Sequence, residues 1–94
     1  MKTSYYNVGN VYHSQGKLEE ALQYYQQALR KNRKVLGDHN PEVASNKHRI
    51  GIVLKASGKA SEARAMFADA AAVRRAMLGP DHHLTMESEQ LAAE

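Results

Sequence analysis

The sequence has no cysteine and no tryptophan, a single phenylalanine and only two prolines. Without cysteine the chain can form neither disulfides nor thiolate metal sites, which fits a reducing compartment. Six glycines and two prolines are too few for a loop-rich all-β fold. No apolar run approaches the ~20 residues that cross a bilayer, and the N-terminus lacks the apolar stretch of a signal peptide. A soluble, cytoplasmic protein without a membrane segment is therefore the expectation. Charge of one sign is also scarce: 13 Lys and Arg against 10 Asp and Glu leave a net +3, a bias that tolerates acidic partners without requiring one.

What the chain has in quantity is Ala, Leu, Glu, Gln, Lys and Arg, the good helix formers. Its 94 residues make one domain of modest size. Within it, Gly9, Val11, Gly16, Lys17, Glu20, Ala21, Ala28, Arg33, Leu36 and Gly37 each recur as the same residue 42 positions on, from Gly51 to Gly79. Unrelated segments of ordinary composition would share about three or four identities over this overlap. The match needs no gap, and Val8/Ile50, Tyr12/Leu54 and Tyr25/Phe67 extend it conservatively. The chain contains an internal repeat.

Each copy reads as two helices. Tyr5, Val8, Gly9 and Tyr12 recur at spacings of three and four and share one helical face. Gly16 ends that helix, since glycine accepts the left-handed conformation after a helix terminus. Leu18, Ala21, Leu22, Tyr25, Ala28 and Leu29 form a second apolar stripe, running to Leu36 and stopping at Gly37. In the second copy Asn40 reads as an N-cap and Pro41 as a first helical residue. That helix is expected from Pro41 to Ser57 and its partner from Lys59 to Leu78. A last helix, His83 to Ala93, has no partner. The expected fold is all-α: five helices in an antiparallel helix-pair solenoid, with one copy over 1–40, the next over 41–82 and an unpaired or capping helix over 83–94. Gly9 and Gly51 sit inside helices at a cost of about 1 kcal/mol against Ala, which predicts a close helix contact there.

Tyr5, Val8-Gly9, Tyr12, Ala21, Tyr25 and Ala28, with Ile50-Gly51, Leu54, Ala63, Phe67 and Ala70 in the second copy, resemble the tetratricopeptide repeat (TPR). That family's usual period is about 34 residues. The longer period, by about two helical turns, and the Leu36-Gly37-Asp38-His39-Asn40-Pro41 linker resemble the subclass typified by kinesin light chain. Three residues depart from the pattern. Lys47 takes a large apolar position, so its stem must snorkel. Ala60 and Arg64 stand where the first copy has Leu18 and Leu22, a loss of about 2–5 kcal/mol each if those sites are buried. His83 replaces the linker proline. The second copy is expected to be the weaker one.

The five histidines form no i, i+4 ligand pair: His82 and His83 are adjacent, and His39 and His82 belong to linkers, so they read as linker structure rather than metal ligands. Arg30, Lys31, Arg33 and Lys34 carry no interleaved aromatics and read as a solvated helix end complementing the helix dipole, not a nucleic-acid site. No phosphate loop, Ser-His-Asp order or HExxH pattern is present. Neither catalysis nor a cofactor is expected.

The resemblance implies a right-handed superhelix whose concave surface is lined by the first helix of each repeat, with ligand contacts at spacings of three, four and three. Carried onto this chain, those positions are Thr3, Tyr6, Asn10 and His13, then Ser45, His48, Ile52 and Lys55, then Glu87 and Gln90. Tyr and Ile supply apolar contact, the Asn amide can pair with a peptide backbone, and His13, His48 and Lys55 favour a carboxylate that Glu87 opposes. The expected function is a protein-interaction scaffold for an extended, mildly acidic peptide segment. The alternative is a structural unit that self-associates through its repeat ends or belongs to a longer array, since stable arrays usually need three or more repeats.

Overall fold

The computed structural model describes residues 4–94, which form five α-helices: α1 Tyr5–Ser14, α2 Leu18–Leu36, α3 Pro41–Ala56, α4 Ala60–Leu78 and α5 His83–Ala93. The start signals act as expected at α3. Asn40 Oδ1 accepts from Glu42 N at 2.8 Å, with Pro41 in the first helical turn. At α1 the Ser4 hydroxyl accepts from Asn7 N at 3.1 Å. The tight turns into α2 and α4 use Gly16 and Gly58 at φ +76° and +84°, a region that a β-carbon disfavours.

Each helix packs chiefly on its neighbour in sequence, α1 on α2, α2 on α3, α3 on α4 and α4 on α5. This is the geometry of a solenoid, in which contacts are local. The central core joins Ala21 and Tyr25 of α2, Ile50, Val53 and Leu54 of α3, and Ala63 and Phe67 of α4. Tyr25 and Phe67 are fully buried and occupy matching registers of the two copies. Each lies against the helical glycine of its own pair. A β-carbon on Gly9 would fall 2.7 Å from Tyr25 Cδ1, and one on Gly51 would fall 2.8 Å from Phe67 Cε1. Two helices can approach this closely only where one of them carries no side chain.

The second copy is the better buried of the two, against expectation. Val11 is 55% exposed while its counterpart Val53 is 1% exposed. The reason is position: α3 has α2 on one side and α4 on the other, whereas α1 has a neighbouring pair on one side only. The small residues of α4 cost little for a related reason. Leu18 and Leu22 are only half-buried, and Ala60 and Arg64 are exposed, so these positions lie at the rim. A hollow of about 70 Å³ bounded by Ala60, Ala63, Arg64, Phe67 and Leu91 occupies the space. Lys47 snorkels: its side chain is 16% exposed and the ammonium reaches Asp69 at 3.6 Å.

The close approach makes a stability prediction opposite in sign to helix propensity. Alanine is the better helix former by about 1 kcal/mol, yet Gly51→Ala should lower the urea midpoint, with a net loss of about 1 kcal/mol or more from overpacking against Phe67. An unchanged or raised midpoint would mean that α3 and α4 lie further apart than described.

Candidate functional site

The first helices of the pairs, α1 and α3, share one face with α5, and it is assembled from hydrogen bonds between helices far apart in sequence. Tyr6 of α1 lies half-buried with its ring 5.8 Å from that of Tyr25. Its hydroxyl accepts from Arg49 Nε of α3 at 3.1 Å. Ser4, Tyr6, Asn32, Glu42, Ser45 and Asn46 surround a cleft of about 360 Å³ between α1, α2 and α3. Asn10 faces the same side, and its carboxamide oxygen accepts the Tyr25 hydroxyl. That bond satisfies the one polar atom of a buried tyrosine, and among the described residues the Asn10 amide nitrogen has no partner.

Further along, the face closes into a buried polar array. His48 is 3% exposed, its Nε2 is 3.0 Å from Glu87 Oε1 and its Nδ1 is 2.9 Å from Ser88 Oγ. The imidazole meets the Phe67 ring edge-on at 5.2 Å. Arg74 of α4, 4% exposed, donates through Nη1 to Ser88 Oγ at 2.8 Å and to the Leu84 carbonyl at 3.2 Å, and through Nη2 to Ser45 Oγ at 3.4 Å. Because Arg74 donates to Ser88, the serine proton is available to His48 Nδ1. The neutral ring then keeps its proton on Nε2 for Glu87, so the donors of His48 and Ser88 are both matched. Glu87, His48 and Ser88 are the residue types of a hydrolase triad, but Ser88 is 0% exposed and so cannot meet a substrate. Its hydroxyl cross-links α3, α4 and α5 instead. One hydroxyl in this region is unmatched: Thr85 Oγ1, in the register of Val43, is buried without a partner.

The expected ligand positions thus divide. Tyr6 and Ser45 line the cleft, and Asn10 lies a turn further along α1, bonded to Tyr25. His13 is half-buried at the end of α1, Ile52 is half-buried against the core, and Gln90 is exposed on α5. His48 is enclosed by the array, and the exposed Lys55 ammonium is bonded to Glu94. Thr3 lies outside the described residues. Arg49, Arg74, Asn32 and Asn46 were not anticipated; a comparison of polar residues at the repeat spacing pairs Asn32 with Arg74 and Asn46 with Ser88, whereas Arg49 has Leu91 as its counterpart and gives no such signal. Asn32 Nδ2 donates to Asn46 Oδ1 at 2.8 Å between α2 and α3, and 42 positions on, Arg74 donates to Ser88 between α4 and α5. In the same way Tyr6 on Tyr25 is repeated as His48 on Phe67.

Helix pairs stacked in this order, with matching contacts at matching registers, define an all-α helical-repeat solenoid. A family model for the tetratricopeptide repeat matches residues 1–76, and the chain belongs to that family. Its repeats mediate protein–protein interaction, which makes the chain a scaffold of that type. No curated protein matches the chain. Among the described residues no helix is long and apolar enough to cross a membrane.

His48 gives this face a pH dependence. Burial, then the nearby Arg74 guanidinium, push the imidazole below its ordinary pKa; Glu87 opposes them and Arg49 adds to them. Folding therefore favours the neutral ring. Its contribution is complete above the unfolded pKa of about 6.5 and is lost as pH falls through that value toward the folded one. The urea midpoint advantage of the wild type over His48→Gln should narrow between about pH 7.5 and about pH 5.5. A constant gap would show that His48 does not titrate with folding.

Proposed function

We propose that the chain is a non-catalytic scaffold that binds an extended acidic peptide along the face of α1, α3 and α5. Arg49 would seat a carboxylate of the peptide and Asn10 would pair with its backbone. The observation that carries the reading is the state of Arg49. It is half-buried, its one hydrogen-bonding partner among the described residues is the Tyr6 hydroxyl, and no described carboxylate lies within ion-pairing distance. A partly desolvated guanidinium with donors to spare is suited to bidentate recognition of a carboxylate. Lys55 contributes less to this reading, because Glu94 already holds it, and His48 shapes the groove from within.

The same reading divides the chain at 1–40, 41–82 and 83–94 and places it in the cytoplasm. It also assigns the chain to the long-period subclass typified by kinesin light chain. Support for the subclass comes from the 42-residue spacing and from second helices of 19 residues each. A structural role in a longer or self-associated array is favoured by one feature: Val11, whose counterpart Val53 is buried in the core, stands 55% exposed at the open side of α1.

Arg49→Gln tests the groove. With a glutamate-containing extended peptide, the amide shift changes on α1 and α3 should need about tenfold or more peptide in the variant, the worth of one charged hydrogen bond. Far-UV circular dichroism should not change. Asn10 is left intact in this test, because the Tyr25 hydroxyl depends on it. Wild-type shift changes at unaltered peptide concentrations would remove the groove from consideration.

A further inference from the structure

The charge of this protein is concentrated in one place. Of its 13 cations and 10 carboxylates, residues 30–38 hold four cations, Arg30, Lys31, Arg33 and Lys34, and one carboxylate, Asp38. The rest of the chain keeps nine of each, so the whole net charge of +3 belongs to the last turns of α2 and the turn after it. All four cations are exposed.

The second copy supplies an internal control. At the same registers α4 has Ala72, Val73, Arg75 and Ala76 in place of Arg30, Lys31, Arg33 and Lys34. Nevertheless α4 is also 19 residues long and ends in the same way, with Gly79 N donating to Arg75 O as Gly37 N donates to Arg33 O. Three of the four cations are therefore unnecessary for forming or stopping the helix. Favourable interaction with the helix dipole does not require them either, since α4 does without.

Three of these cations, Arg30, Arg33 and Lys34, ring a hollow. Gln26, Leu29, Arg30, Arg33, Lys34 and Asp38 surround about 650 Å³ of open space, and none of these residues lines the cleft beside Tyr6. Leu29 gives the hollow an apolar wall. Leu36, seven residues on and so at nearly the same helical phase as Leu29, stands 42% exposed. The seat has already taken one carboxylate: Arg33 Nε donates to Asp38 Oδ1 at 2.6 Å. The hydrogen bond and charge of Arg33 hold that carboxyl below its usual range.

We propose that this face is a second docking surface, distinct from the groove, and that its occupant is an acidic protein segment with apolar residues interspersed among its carboxylates. Charge complementarity selects the acidic side chains, while Leu29 and Leu36 receive the apolar ones. Two other polyanions fit less well. No aromatic side chain lines the hollow, so nucleic-acid bases have nothing to stack on. The cations surround a concavity rather than flank an apolar helical face, which is the arrangement that lies in a membrane surface.

The test uses the full chain carrying Arg49→Gln, which weakens the groove about tenfold, with and without Arg30→Ala and Lys34→Ala, the residues that α4 uses at these registers. The probe is a short fluorescein-labelled peptide of alternating glutamate and leucine, followed by anisotropy. Arg49→Gln alone should bind, more weakly as salt rises, and adding the two substitutions should weaken binding about fivefold or more at unchanged helicity. Absence of binding to Arg49→Gln alone would overturn the second surface and leave the groove standing. Equal binding with and without the two substitutions would overturn it too. So would tighter binding of phosphatidylserine vesicles or single-stranded DNA than of the peptide.

Discussion

The structure depends on how closely the two helices of a pair approach. Gly9 and Gly51 let the faces of Tyr25 and Phe67 lie where β-carbons would otherwise stand, at 2.7 and 2.8 Å. That approach fixes the pair, and the pair sets where the next one can lie, because each helix contacts mainly its sequence neighbours. The rings then serve a second purpose. Tyr25 supports Tyr6 and bonds Asn10, and Phe67 supports His48. Packing in the interior and the placement of groove residues are consequences of the same contact.

A second layer of order is polar. The bond from Asn32 to Asn46 and the bond from Arg74 to Ser88 join successive pairs at identical registers with different chemistry. In the first case one carboxamide donates a single bond to another. In the second, a buried cation needs several acceptors, and Leu84, Ser45 and Ser88 supply them. Buried polar groups of this kind contribute modest net stability, and removing one partner costs more than the bond itself contributes. They favour one register of stacking over its neighbours. The terminal helix adds Leu91 and Ala92 to the core, and its Glu87, Glu89 and Glu94 reach His48, Arg75 and Lys55; the last two pairs are exposed and weaken as salt rises.

Much of the fold was legible in the residues. Repeated identities gave the two copies, and glycine, asparagine and proline marked the helix ends to within a residue. Apolar spacing identified Tyr25 and Phe67 as core residues. Burial of individual positions was less legible, because it depends on how many neighbours a helix has. The same valine is exposed at 11 and enclosed at 53, and the Leu18 and Leu22 registers lie at the rim, where replacement by Ala60 and Arg64 matters little. The groove was legible as a face but not as chemistry. Tyr6 and Asn10 lie on it, whereas the half-buried cation bonded to Tyr6 there is Arg49, one residue past the expected position at His48. Polar side chains reach several ångströms in directions that helical phase alone does not specify, so partners such as Arg74 and Ser88 emerge only in three dimensions.

The closest test of the governing contact is a double-mutant cycle on Gly51 and Phe67, followed by urea unfolding. Phe67→Leu removes the ring edge that a β-carbon at 51 would strike, so Gly51→Ala should cost markedly less in that background than in the wild type. A coupling of about 1 kcal/mol in the relieving direction is expected. Additive effects would contradict the close approach on which the stacking, and with it the shared groove, is built.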